Sequence, residues 1–296
     1  MELKKQQEPL SVKQQIENLK ALNLTIEDEA AAMNFLNDVS YFRFVKAYSL
    51  GLKPKNGSYY DGATFEQLME LYRFNSKFRQ LLFPLIERVE INLRCRIANY
   101  FCCTYGVLGY KDSKNFADKA YHTAFLQDIH AEIIRNKNTP FMKNFLNNYK
   151  NGDVPFYALV EILSFGTLSK FYKNMKNPDK KQVASTYGIG YTYFESWIES
   201  IAYVRNLCAH YSRLYNAKLT KTPKLYHQDS KEGAANNRIF GVLCCLKHLF
   251  VGDRHWARFL DNMEMLFEKY TYVDLNTMGF TKNWRELLTL STPRTA

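Results

Sequence analysis

Residues 64–94 read TFEQLMELYRFNSKFRQLLFPLIERVEINLR, and their periodicity decides the fold class. Phe65, Leu68, Leu71, Tyr72, Phe74, Phe78, Leu81, Leu82, Leu85, Ile86, Val89 and Leu93 recur every three or four residues, the spacing that lines one face of an α-helix. Thr64 followed by Gln67 has the form of a capping box, and the period continues to about Tyr105. Pro84 has no amide hydrogen, so it is expected to kink this helix or split it in two. The polar face carries Glu87 and Glu90 beside Arg88, Arg94 and Arg96, which reads as a solvated or salt-bridged surface.

The same pattern extends in both directions. Ser11 with Gln14, and Thr25 with Asp28, resemble N-caps of two short helices, followed by the aromatic run Tyr41-Phe-Arg-Phe44 with Tyr48. Gly51 to Gly62 reads as a loop or a small hairpin. Downstream, residues 121–150 hold two helices divided near Thr139-Pro140. Pro155 to Met175 reads as a helix, a break at Gly166 and a second helix capped by Thr167, and 179–187 as a short helix ended by Gly188-Ile-Gly190. Phe194, Trp197, Ile198, Ile201, Val204, Leu207 and Cys208 mark a buried helix from Tyr193 to about Leu214. A basic loop and helices near 235–250 and 254–270 complete the chain, with Trp284 in the tail.

Composition agrees with an all-α class. With 46% hydrophobic residues, 21 Tyr and 21 Phe, the 296-residue chain has enough apolar surface to order itself, which excludes a disordered protein. Only 13 Gly and 8 Pro are present, too few turn residues for a sandwich or barrel of many short strands. The net charge of +11 points to a polyanionic partner and is uneven: +2, +3 and +6 for residues 1–100, 101–200 and 201–296. From Arg205 to His227 the chain holds Arg205, Arg213, Lys218, Lys221 and Lys224 with no acid, which is either a phosphate-binding surface or a solvated basic loop.

Six cysteines form no CxxC pair and no zinc-finger spacing, so no structural zinc and no other metal is expected; their setting in apolar runs suits a reducing compartment. The polar N-terminus and the lack of an 18-residue apolar run predict a soluble, cytoplasmic protein away from membranes.

One string mixes strong polar groups into a packed helix: Tyr203-Val-Arg-Asn-Leu-Cys-Ala-His-Tyr-Ser-Arg-Leu-Tyr-Asn216. On a continuous helix Asn206 and His210 are neighbours, as are His210 and Arg213, giving one polar stripe, while Arg205 and His210 stand roughly 140° apart. Arg205 alternatively pairs with a buried acid such as Glu161. Tyr211 and Tyr215 serve either as core aromatics or as stacking platforms. His122, His130, His227, His248 and His255 have no such company.

Arg205-Asn-Leu-Cys-Ala-His210 resembles the R-x4-6-H signature of HEPN-fold ribonucleases, and RNLCAHYSRLYN resembles the form carried by the Abi-like (AbiD/AbiF) abortive-infection family. Tyr41-Phe-Arg-Phe44 with Tyr48, Leu71-Tyr-Arg-Phe-Asn75 through Glu87-Arg-Val-Glu-Ile91 and Arg94, and Glu161-Ile-Leu-Ser-Phe-Gly-Thr-Leu-Ser169 resemble the same family in the same order. Met278-Gly-Phe280 with Asn283-Trp284 resembles its C-terminal end, so the resemblance spans nearly the whole chain.

The resemblance implies a HEPN-like helical bundle with additional N- and C-terminal helices, divided as 1–60 and 61–296 or continuous over 1–296. It implies a metal-independent endoribonuclease of phage defence without a cofactor, a toxin restrained by a protein partner or bound to a cognate non-coding RNA. A non-catalytic RNA-binding module and a toxin–antitoxin subunit are the alternatives, and no DNA partner is expected. With one R-x4-H motif per chain, a composite site requires a homodimer. Arg205, His210 and Asn206 would be catalytic. Arg213, Lys218, Lys221, Lys224 and Tyr211 would bind RNA.

Overall fold

The computed structural model describes residues 8–289. The chain is all-α: 67% helical, with 14 α-helices and no strand among the described residues. In order these are α1 (Val12–Ala21), α2 (Glu29–Asp38), α3 (Tyr41–Tyr48), α4 (Phe65–Tyr105), α5 (Lys119–Asn136), α6 (Pro140–Asn148) and α7 (Phe156–Leu159). Then follow α8 (Phe165–Asn174), α9 (Asn177–Ser185), α10 (Tyr191–Ala209), α11 (His227–Lys231), α12 (Ile239–Leu246), α13 (Arg254–Lys269) and α14 (Trp284–Leu288). None is long and apolar enough to cross a membrane.

Helix α4 organises the rest. Its capping box at Thr64 and Gln67 forms as the sequence predicts, and its 41 residues extend about 60 Å. Pro84 does not divide it; the proline lies on the exposed side, where water can take the carbonyl of Gln80 that proline cannot bond. Phe65, Phe74, Phe78, Leu82, Leu93, Ile97 and Phe101 are buried along its length, and α3, α10 and α13 pack on it. Helix α10 lies against α4, α8, α9 and α12, which buries Trp197, Ile198, Ile201 and Val204. Each such side chain contributes about 1.5–3 kcal/mol. Near the start of α4, Phe44 of α3 meets Phe65 edge-on at 5.2 Å; near its end, Phe101 meets Phe171 of α8 at 4.9 Å. One buried hydrophobic cluster runs from Ile16 to Leu288.

Local boundaries differ from the sequence reading at four places. Asp28, not Thr25, caps α2, its carboxylate accepting from the Ala31 amide, while Thr25 lies in an isolated bridge with Thr64. Residues 51–62 form a loop and no hairpin. The break expected at Gly166 falls earlier, between Leu159 and Phe165, and Ser164 is the cap, accepting from the Thr167 amide. Helix α10 stops at Ala209 rather than near Leu214, so the stripe that would align His210 with Arg213 on one helix does not exist.

Candidate active site

Arg205 lies one turn from the end of α10 and is held from below. Its Nε donates to Oε2 of Glu90 on α4 at 3.0 Å, and its guanidinium sits 5.8 Å from the Phe83 ring centre. Glu90 is buried, and its second oxygen accepts from Arg94, which also donates to the carbonyl of Val160 in the break between α7 and α8. Both carboxylate oxygens are therefore used, and two arginines share one buried charge. The Nη groups of Arg205 have no partner among the described residues, and a third of the side chain is exposed. A fork tethered by Nε, with its outer donors open, suits a phosphate oxygen. Glu161, the acid named as a possible partner from sequence, is exposed and forms no such pair.

The helix end is built around His210, which occupies the C-cap with its amide bonded to the Asn206 carbonyl at 3.0 Å. Tyr211 follows in the left-handed region, φ 57. Its amide bonds to Cys208 O, and that of Ser212 bonds to Leu207 O at 2.8 Å. This is the Schellman arrangement, normally made with glycine at the left-handed position; a tyrosine there costs about 1–2 kcal/mol. The turn is fixed from outside. Fully buried Asn75 of α4 accepts at Oδ1 from the amides of Leu214 and Tyr215, at 2.8 and 2.9 Å. Arg79, buried one turn along α4, donates to Ser212 O at 3.2 Å. Arg43 of α3 donates to Tyr211 O at 3.1 Å. His210 is exposed, and its ring has no hydrogen bond among the described residues.

Four arginines thus serve one short segment. Besides Arg43 and Arg79, Arg213 donates to Tyr215 O, and Arg238 donates to Ala217 O at 3.1 Å and more distantly to Asn216 Oδ1. None of the four has a carboxylate partner among the described residues. Burial, with Arg238 nearby, holds the Arg213 guanidinium below its ordinary value, and burial pushes the neighbouring Tyr48 hydroxyl up to about 12.

The remaining predicted residues divide. Asn206 is exposed at the end of α10 beside His210, and Tyr211 points outward at 68% exposure instead of joining the core, whereas Tyr215 is buried. Lys218 is exposed and unpaired among the described residues. Lys221 is not free: its Nζ bonds Glu199 at 2.8 Å, which holds that carboxyl below its usual range. Lys224 is exposed, with its backbone joined to Ser196 and Trp197 of α10. The acid-free run is a property of the sequence alone, since folding brings Glu90 to Arg205 and Glu199 to Lys221.

Sequence reasoning assigned no role in the site to Glu90, Arg94, Asn75, Arg79 and Arg43, which position the predicted residues. All five fall in the blocks that carry the family resemblance, and that was the available signal. Two clefts of about 350 and 450 Å³ are lined by Tyr110 and His130, and by Tyr41 and Lys46, among others, and neither includes Arg205 or His210. Among the described residues no three His, Cys, Asp or Glu side chains gather as a metal site.

Residues 34–216 match a family model described as Abi-like protein. The match includes α3, α4, α8, α10 and the turn, and it ends at Asn216; Lys218, Lys221, Lys224 and the C-terminal Met278–Trp284 segment lie outside it, so the matched region is narrower than the sequence resemblance implied. No curated protein and no solved structure matches the chain.

Proposed function

The chain belongs to the Abi-like protein family, and from that premise we propose that it is a HEPN-type, metal-independent endoribonuclease of abortive infection. The observation that carries this reading is a tethered Arg205, with both Nη groups open, followed five residues on by an exposed His210. Five residues is about 7.5 Å of helical rise with the side chains leaving the axis roughly 140° apart, so one phosphate meets both groups only if a second copy of the chain brings its own Arg205 and His210 alongside.

The chemistry follows from the residue types. The ribose 2′-oxygen attacks the adjacent phosphorus and loses its proton; the bond to the 5′-oxygen breaks, and that oxygen gains a proton. Histidine can accept or deliver a proton near neutral pH. Arginine cannot act as a base, but its fork stabilises charge on the nonbridging oxygens. Asn206 orients His210 or the phosphate. One histidine per site leaves one of the two proton transfers unassigned, and a second copy of the chain would supply it, making the enzyme a homodimer. The products are a 2′,3′-cyclic phosphate and a 5′-hydroxyl.

Purified protein is expected to cut RNA in the presence of EDTA, leaving cyclic-phosphate ends, and His210→Ala is expected to abolish the cutting. Undiminished cleavage by His210→Ala would remove the site assignment. RNA bound but never cut by the wild type would favour the non-catalytic reading.

A further inference from the structure

Phe42 is the most exposed large apolar side chain among the described residues, at 79%, and Tyr211 is next at 68%. A scattered exposed ring needs no explanation, but these two belong to elements that touch. Arg43, adjacent to Phe42, donates to the Tyr211 carbonyl at 3.1 Å, so the start of α3 abuts the turn that follows His210. Tyr211 also occupies a left-handed position that glycine would fill without strain, and there its ring is held in solvent one residue from His210. Neither α3 nor residues 205–226 contain a carboxylate, whereas exposed Arg43, Lys46 and Lys218 and half-buried Arg213 are present.

Flat rings beside cations fit a polyanion that carries π faces. Bases are available for stacking only in unpaired RNA, because a duplex hides them and presents phosphates and 2′-hydroxyls instead. We propose that Phe42 and Tyr211, on two elements that Arg43 ties together, form a subsite for unpaired nucleotides of single-stranded RNA. The bases stack on the two rings, and Arg43 and Lys46 take the phosphates. The position of this subsite beside a cut rests on the nuclease reading above, but binding itself does not.

The test uses a fluorescent 2′-O-methyl RNA strand, which lacks the attacking hydroxyl, free or annealed to its complement, with polarisation as the readout. Phe42→Ala and Tyr211→Gly are each expected to weaken single-strand binding about ten-fold and to leave duplex binding unchanged, while Phe42→Trp keeps wild-type affinity. Tyr211→Gly removes backbone strain, so loss of binding with undiminished thermal stability separates stacking from folding. Unchanged single-strand affinity in Phe42→Ala, or an equal fall for strand and duplex, overturns the proposal. A change in solution mass on Phe42→Ala also overturns it, by assigning Phe42 to an interface between copies. Because the strand cannot be cut, failure of the cleavage assay with His210→Ala reports on the nuclease reading separately.

Discussion

Glu90 and Arg205 are 115 residues apart in sequence and 3.0 Å apart in space, joined by a hydrogen bond from Nε to a carboxylate that Arg94 also holds. Removing one member of a buried charge group strands the others, typically at 3–5 kcal/mol. Glu90→Gln leaves two arginines without their shared anion and is expected to lower stability by about 3 kcal/mol in urea denaturation. Arg205→Lys separates positioning from stability. Lysine can meet Glu90 with its single nitrogen but cannot at the same time present a planar two-nitrogen fork to phosphate. RNA cleavage should fall at least ten-fold while the urea midpoint moves little. Full activity in Arg205→Lys would show that the open Nη groups are not needed.

Asn75 holds the turn after His210 through two bonds to one buried oxygen. Asn75→Ala leaves the amides of Leu214 and Tyr215 without an acceptor, with an expected cost of about 3 kcal/mol. Because Tyr211 is strained, the turn should loosen before the helices do. Hydrogen exchange at residues 211–216 should accelerate more than at the centre of α10. Uniform acceleration across α10 would mean that Asn75 contributes only to global stability.

The helices were legible because their signals are local. The periodicity of α4, its capping box at Thr64, and Thr139-Pro140 between α5 and α6 need no tertiary context. The end of α10 was not legible: no glycine or proline occurs between Gly190 and Pro223, and Tyr211 takes the left-handed position under restraint from Asn75, Arg79 and Arg43. The break after Leu159 was hidden in the same way, since no glycine or proline marks it before Gly166 and Arg94 of α4 captures the Val160 carbonyl. Glu90 looked like a surface residue because it shares a polar helix face with Glu87, Arg88 and Arg94, and in the fold it is buried with Arg205 of α10 on one of its oxygens. In the site, Arg205, Asn206 and His210 were readable from the motif, whereas the residues that hold them arrive from elements far away in sequence.

Lys218 and Lys221 look equivalent in sequence but not in space, because Glu199 neutralises only Lys221. If both face RNA, Lys218→Ala should flatten the dependence of log affinity on log salt by about one. Lys221→Ala should change it less and should let the Glu199 carboxyl rise toward its ordinary value, since the hydrogen bond from Lys221 is the main influence holding it down. Salt titrations of RNA binding by the two variants, compared with wild type, provide the measurement; equal slopes would remove the distinction.

His248, which the sequence left without a role, makes the fold sensitive to acid. Its ring stacks on Trp197 of α10 at 5.4 Å and meets Tyr226 edge-on, and burial, reinforced by neighbouring Lys247, lowers its pKa to about 4. The ring is therefore neutral in the folded protein at pH values where a solvated histidine is charged. For a base whose folded pKa is depressed, the stability is complete above the unfolded value of 6.5 and drains away as pH falls toward the folded value. The interval between 6.5 and about 4 corresponds to about 3 kcal/mol, lost progressively on acidification. His248→Phe keeps an aromatic ring against Trp197 and cannot be protonated. Urea midpoints measured between about pH 7 and pH 4.5 should fall more steeply for wild type than for His248→Phe, the curves diverging below about pH 6. Parallel curves would mean that His248 does not carry the acid sensitivity.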